Sequence, residues 1–334
     1  LTASVVVVTC ERPDCVARCL EHQANQRRVP DELIVVDASR DARTEQLVKS
    51  RFPEVRYQWN PLGYGHIATL RAIGFGVARS DIVVFATDDA FVELAWPERL
   101  TTPYADSRVG GVGGRTLNGQ PGEALEGRDA FGRLRPDGTL SGDFAADLGC
   151  VIKVDHLVGA NMSFRRAALH AVGGIRDNYP GTGRREETDN CLRVRAAARL
   201  LSFAPGAVAH ERAARHARGA RSDLRYVYYS QRKHTVLLLR DFGLAAPLMG
   251  RFAGDLVREL ARTPPAAGRA VRTGKPLRSA VRPVVRAGVG VGGLVEGVVA
   301  GVGLVLADHR SARGSSRPDP GAGARPPELS SSRS

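Results

Sequence analysis

Cysteine is scarce and odd in number, with Cys10, Cys15, Cys19, Cys150 and Cys191 the only five among 334 residues. A chain this long can bury a good core without cross-links, so an odd handful of thiols argues against a disulfide framework and for a reducing cytosol. Cys15 and Cys19 stand one helical turn apart, but no histidine or second cysteine pair completes a zinc spacing, which leaves a buried helical face as their expected role. Two nucleotide motifs are also missing. A dinucleotide-binding Rossmann fold needs Gly-x-Gly-x-x-Gly after its first strand and a P-loop protein needs Gly-Lys-Ser/Thr, whereas the first turn here reads CERPDC. No helix-turn-helix, zinc-finger or RNA-recognition signature appears, and there is no internal repeat. Ser4 to Thr9 is a short β-branched run followed at once by charge and proline, so it is expected as a strand and not as an export signal.

The composition that remains, 43% hydrophobic and 25% charged, is ordinary for a globular protein with one large core or two modest ones. The net charge of +13 is not spread evenly. Residues 211–334 hold 22 Lys and Arg against 9 Asp and Glu, while residues 1–210 hold 26 of each. A basic region confined to one end suggests an anionic partner there, a membrane surface or nucleic acid, with an arginine-rich solvated tail as the plainer alternative.

Along the first third, short apolar runs alternate with helical stretches. Strands are expected at Ser4 to Thr9, Glu32 to Val36, Val55 to Trp59 and Ile82 to Phe85, with helices near Asp14 to Asn25, Thr44 to Ser50 and Ile67 to Ala78. That alternation indicates βαβ units, hence an α/β fold with a mostly parallel sheet sandwiched by helices. Gly110 to Leu157 is rich in Gly and Asp and reads as strands joined by long loops over a site; helices and strands then resume as far as His210. After Gly219 the chain looks helical and basic. Ala287 to Ala307 is apolar but for Glu296, and its length could span a bilayer. Seven glycines and a central carboxylate make it a poor spanning helix, so interfacial seating or packing on the preceding domain is expected instead. The expected division is a catalytic-type α/β domain over 1–218, a basic helical region over 219–310 and a disordered tail over 311–334.

In an open α/β sheet, ligands bind beyond the carboxyl ends of the strands. There the sequence places Thr9, Glu11 and Arg12, then Asp37 and Ser39, then Thr87, Asp88 and Asp89. Adjacent carboxylates repel unless a cation sits beside them, and hard oxygen ligands suit Mn²⁺ or Mg²⁺ with open positions for substrate phosphates. A helix cap with a solvated neighbour is the alternative for the pair alone. Asp37, at the same edge, is suited to accept hydrogen bonds from a base or ribose, and three acids together favour a nucleotide site.

The order SVVVVTCERPD, ELIVVDAS, LRAIGFGVARSDIVVFATDDA, VGANMSFRRAALHAVGGI, EETDNCLRVR and FAPGAVAH resembles the family 2 glycosyltransferases of GT-A fold over roughly residues 3 to 215. The resemblance implies a nucleotide-sugar donor bordered by Thr9, Glu11, Arg12, Asp37, Ser39 and Asp88, and a divalent cation on Asp89 and His210. Thr87 stands where the family often has a third acid. Asn161 and Met162 would border the donor sugar or acceptor, with packing as the other role for Met162 and helix capping for Ser163 and Arg165. Glu186 would lie on the acceptor side. The base that takes the acceptor proton is expected at Glu187, with Asp189 as rival, since a misplaced carboxylate loses attack geometry. Acids at a helix N-terminus are also what the dipole alone would favour. His66, Arg71, Arg232, Lys233 and His234 are further candidates to hold the diphosphate. Attack from the opposite face would invert the anomeric centre.

An inverting, metal-assisted transfer to a hydroxyl acceptor in the cytoplasm is thus expected. A nucleotidyltransferase is disfavoured because CERPDC lacks a glycine-rich triphosphate loop, a nucleic-acid binder because no recognition motif accompanies the charge, and an inactive scaffold because five polar groups converge. The basic, Gly- and Val-rich end would suit peripheral attachment to anionic lipid and a lipid-linked acceptor.

Overall fold

Three runs rich in β-branched residues, with the aromatic run RYQW beside them, form the parallel half of the sheet. The computed structural model describes residues 1–118, 130–142, 144–179, 184–211, 224–273 and 276–315. Strand β1 (Ala3–Thr9) leads into helix α1 (Pro13–Ala24), β2 (Glu32–Asp37), α2 (Arg43–Arg51), β3 (Arg56–Trp59), α3 (Ile67–Val77) and β4 (Ile82–Thr87). Proline near the start of α1 suits a first turn, where an N–H would lack a partner anyway. Val16, Cys19, Leu20 and Gln23 then bury one helical face, and Cys15 is only half-buried beside it. Strands β3, β2, β1 and β4 lie side by side and parallel. Their register pairs Thr9 with Asp37, Asp37 with Trp59, and Val8 with Thr87, so the four carboxyl ends meet at one edge.

The remaining elements are β5 (Ala90–Val92), α4 (Trp96–Thr101), a 3₁₀ turn (Thr102–Ala105), β6 (Val109–Leu117), β7 (Ile152–Val154), β8 (Asn161–Arg165), α5 (Arg166–Ala171), α6 (Glu186–Ala196) and β9 (Leu200–Glu211). The sheet continues from β4 to β8, β6, β9 and β5, with β7 also on β9. Here it departs from the parallel pattern. Strand β8 runs antiparallel to both β4 and β6, and β5 and β7 run antiparallel to β9, leaving β6 with β9 as the only parallel pair in this half among the described residues. The glycines of VGGVGG let β8 and β9 close in on β6. A Cβ at Gly114 would fall 2.2 Å from the Ala207 carbonyl oxygen and 2.4 Å from Asn161 Nδ2.

Alternate residues of each strand enter opposite cores. Val5, Val7, Val35 and Val84 pack with Leu20, Trp96 and Leu100, whereas Val6, Val8, Ile34 and Phe85 pack with Leu70, Met162 and Leu169 on the other side. Helices therefore cover both faces of the sheet, and each fully buried Leu, Ile or Phe contributes about 1.5–3 kcal/mol.

Helices α7 (Leu224–Phe242), α8 (Pro247–Arg272) and α9 (Leu277–Ser315) follow. Gly293, Gly297 and Gly301 recur every fourth residue and lay the backbone of α9 on α7. A Cβ at Gly297 would be 2.6 Å from Thr235 Cβ and 2.7 Å from the Arg232 carbonyl oxygen. The glycines that weaken Ala287 to Ala307 as a spanning segment are thus the means of helix contact. Glu296 accepts hydrogen bonds from Tyr228 and from Arg232 Nε at 2.8 Å, so the central carboxylate faces α7. His234 Nε2 bonds the Gly138 carbonyl at 2.7 Å and Arg251 that of Pro136 at 3.2 Å, tying the helices to the loop after β6. Helix α9 continues through Ser315, into the stretch expected as tail, of which residues 316–334 lie outside the described residues. Between Leu277 and Asp308 it is long and apolar enough to cross a membrane by length and composition.

Candidate functional site

The aligned strand ends gather one charged cluster. Thr9 Oγ1 donates to Asp88 Oδ2 at 2.6 Å, and Arg12 reaches both Asp88 and, at 3.1 Å, Asp89 Oδ2. Asp88 is fully buried and Asp89 nearly so. Burial pushes the Asp88 carboxyl up to about 7, against the pull of Arg12 and with a further push from Asp89. One guanidinium shared by two carboxylates leaves a negative balance. Asp88 Oδ1 meets Arg12 only as an ion pair, and Thr87 Oγ1 is buried without a hydrogen-bond partner among the described residues. An excess of hard oxygen donors with unmet capacity fits a divalent cation or a polyhydroxyl ligand. Among the described residues no three His, Cys, Asp or Glu groups converge as a metal-ligand set.

At the neighbouring strand end, Asp37 is bound from two sides. Its Oδ1 accepts from the Ser39 amide at 2.8 Å and hydroxyl at 2.5 Å, and its Oδ2 accepts from Tyr57 at 2.6 Å. Ser39 Oγ in turn accepts from the Glu11 amide at 2.6 Å. Glu11 is held in the left-handed region at φ 57°, a strained position for a non-glycine residue. Asp37 and Ser39 therefore brace the loops after β1 and β2. The surface they leave open carries Trp59, 55% exposed, whose Nε1 donates to the Ser39 carbonyl at 2.8 Å.

The three acids that open α6 divide sharply. Glu186 is fully buried, accepting from Arg71 Nη1 at 2.5 Å and Asn190 Nδ2 at 2.7 Å, and burial pushes its carboxyl up to about 7 despite Arg71. Asp189 is also fully buried, accepting from Arg193 Nε at 2.7 Å and from Arg176 and Tyr179 at 3.1 Å each. Glu187 is half-buried, and no hydrogen bond or ion pair among the described residues engages its carboxylate. It acts electrostatically on buried Lys233 and half-buried Arg185. Burial drives Lys233 down to about 8 and Arg185 down to about 10, and Glu187 opposes both shifts. Arg185, immediately before the helix, is left-handed at φ 84°.

Several expected site residues turn out to be struts. Arg71, expected near the diphosphate, joins α3 to α6 through Glu186, expected on the acceptor side, and donates to the Gly159 carbonyl at 2.6 Å, so the pair is engaged within the core. Asp189, the rival candidate for the base, has its oxygens bound by three donors in the core. Asn161 is buried with Nδ2 bonded to the Arg115 and Ala207 carbonyls and Oδ1 to Trp96 Nε1, all at 2.9 Å; it clamps β6, β8 and β9 instead of bordering a sugar. Met162 packs in the core, Ser163 bonds Tyr104 and the Val112 carbonyl, and Arg165 bonds backbone carbonyls of Tyr104 and Val109. Arg232 is spent on Glu296, His234 is buried against the Gly138 carbonyl, and His66 is exposed at the start of α3. His210 pairs in register with Phe91, and its Nε2 sits 3.2 Å from Glu93 Oε1, so the histidine engages Glu93 and not Asp89. Tyr57 and the Arg12 bridge are the partners that sequence reasoning missed. Tyr57 and Trp59 share a strand face by alternation, which was the available signal.

The chain matches the model of glycosyl transferase family 2 over residues 4–173. No curated protein matches it by sequence. Its fold is similar to that of the mannosyltransferase PcManGT from Pyrobaculum calidifontis in complex with GDP-Man and Mn²⁺, at 16% identity and a TM-score of 0.55, covering 90% of this chain and 86% of that one. It is also similar to GalNAc-T7 with UDP, GalNAc and Mn²⁺, at 13% identity and 0.59, covering 84% and 56%. S. aureus TarS 1-349 in complex with UDP-GlcNAc follows at 14% and 0.55, covering 94% and 92%.

Proposed function

The chain belongs to glycosyl transferase family 2, and from that premise we propose that it moves a sugar from a nucleoside-diphosphate sugar to a hydroxyl acceptor by single displacement with inversion. One observation carries the assignment of chemistry. Of the three acids at the start of α6, Glu187 alone has a carboxylate left open by the described residues, while Glu186 and Asp189 are bound in the core. An unengaged carboxylate can take the acceptor hydroxyl proton as its oxygen attacks the anomeric carbon.

The donor lies at the other end of the chemistry, along Thr9, Arg12, Asp88 and Asp89. Arg12 can turn one of its shared N–H groups from Asp89 toward a phosphate oxygen, since its side chain is 27% exposed. Asp89 and its neighbour Asp88 are the residues that would hold Mn²⁺ or Mg²⁺, and such an ion supplies charge neutralisation to the departing nucleoside diphosphate. Trp59 offers a flat exposed surface beside the same edge. Structures of the same fold solved with GDP-Man, UDP and UDP-GlcNAc support a nucleoside-diphosphate donor. The five free thiols suit a cytoplasmic reaction.

The test is Glu187→Gln beside the wild type, followed by nucleoside diphosphate released from a donor panel over a set of hydroxyl acceptors. Turnover should fall by roughly 10²–10⁴-fold while the donor-induced thermal shift persists. Full turnover in Glu187→Gln would overturn the assignment.

A further inference from the structure

We infer that the outer face of α9 docks on an anionic lipid surface, lying along it and not through it. The face opposite the glycine contacts carries Val281, Val285, Val295, Val299, Val302 and Leu306, all exposed, with Val299 at 70% and Val295 at 58%. They stand three, four or ten residues apart, spacings that keep them on one side of the helix. From Val281 to Leu306 the stripe runs about 38 Å at the α-helical rise. Gly288 and Gly292 fill the intervening positions and are themselves exposed. A soluble helix normally turns such a stripe inward.

Charge identifies the occupant. Arg278 and Arg282 flank the stripe one turn apart and Arg286 follows one turn further, toward the side that meets α7; all three are exposed and without a hydrogen bond or ion pair among the described residues. The acids of the helix point elsewhere, Glu296 to Tyr228 and Arg232 and Asp308 to Arg240. The face is therefore apolar with a basic flank, and both acids of the helix are paired with α7. A second copy of this chain would bring the same unneutralised arginines, whereas lipid headgroups bring phosphate and accept the valines below them. Spanning is disfavoured by the opposite face, because Gly293, Gly297 and Gly301 hold α9 against α7 and Glu296 would have to leave its partners. The row ends at a cavity of about 290 Å³ that Arg286 lines together with Arg184, Tyr226 and Glu259. Arg184 lies three residues before Glu187, so the docked face leads toward the acceptor side. The docking itself does not depend on the catalytic reading.

Flotation of the full chain with vesicles of phosphatidylcholine, with and without phosphatidylglycerol, tests this. Wild type should float with the anionic vesicles and stay behind with the neutral ones. Each arginine near an anionic surface contributes about fivefold to partitioning, so the triple change Arg278→Ser, Arg282→Ser, Arg286→Ser should lower it on the order of 100-fold. Val299→Glu should also lower it while leaving the thermal midpoint unchanged, since the site is open. Equal flotation with both vesicle types, none with either, or a triple variant that floats as the wild type does would overturn the proposal. So would resistance to carbonate extraction, which signals a spanning helix, or a dimer in sedimentation that Val299→Glu abolishes. No nucleotide enters the assay, so its failure is separate from failure of the transferase reading.

Discussion

Replacing Asp88 with asparagine removes a buried charge while keeping the side chain's shape and its acceptor oxygen for Thr9. A carboxyl raised from 3.8 to about 7 by burial carries an ionisation penalty of roughly 4 kcal/mol at alkaline pH. Water reaches Arg12, whose side chain is 27% exposed, and the guanidinium keeps Asp89 in the variant, so the gain on substitution should be nearer about 2 kcal/mol. Because the folded value lies above the unfolded one, the folded state holds this proton more tightly between about pH 4 and pH 7. The stability it confers is complete below that window and is lost as pH rises through it. Urea midpoints of ligand-free wild type and Asp88→Asn should therefore coincide near the bottom of the window and diverge above it, with the variant more stable. Comparing the two proteins at each pH cancels the titration of every other group. A wild type that is the more stable partner above pH 7 would refute the reasoning, since the ion pair with Arg12 would then outweigh burial. The same variant should bind donor more weakly.

Arg71→Met should cost about 3–5 kcal/mol in urea unfolding, because Glu186 is left buried with only Asn190 beside it, and much of that loss should return when Glu186→Met is added. Gly297→Leu forces α9 away from Arg232 and Thr235 and should cost about 1–3 kcal/mol, read as a lower thermal midpoint and faster proteolysis between α7 and α9. Gly303→Ala, where nothing lies within 4 Å of the added carbon, should instead raise the midpoint by up to about 1 kcal/mol of stability.

The strand ends were legible because their signal is local. Continuous apolar runs closed by Thr9, Asp37 and Thr87 mark three of the four parallel strands, and βαβ connectivity alone brings those residues to one edge. The division of labour in α6 was legible only in part. Glu186, Asp189, Asn190 and Arg193 follow helical spacing and share a buried face, but Cys191 and Val194, on the same face as Glu187, are buried too, so the opening at Glu187 comes from packing around the first turn and not from spacing. What spacing could not supply was long-range pairing. Asn161 and Met162 lie on β8, and only its insertion between β4 and β6 buries both faces of that strand. His210 depended on the register of β9 with β5, and Asp37 on a tyrosine twenty residues away across a strand pair. The glycine stripe of α9 could be seen at intervals of four, but not that α7 would cover it.

The central claim is that Asp88 and Asp89 mark a donor site for a nucleoside diphosphate and a divalent cation. Its most direct test is the thermal shift of the full chain with UDP, GDP, dTDP and CDP, each with and without Mn²⁺, in wild type and in Asp89→Ala. At least one nucleotide should raise the wild-type midpoint, with Mn²⁺ strengthening the effect, and Asp89→Ala should abolish the part that depends on the metal. No shift with any nucleotide, or a shift that Mn²⁺ and Asp89→Ala leave unchanged, would contradict it.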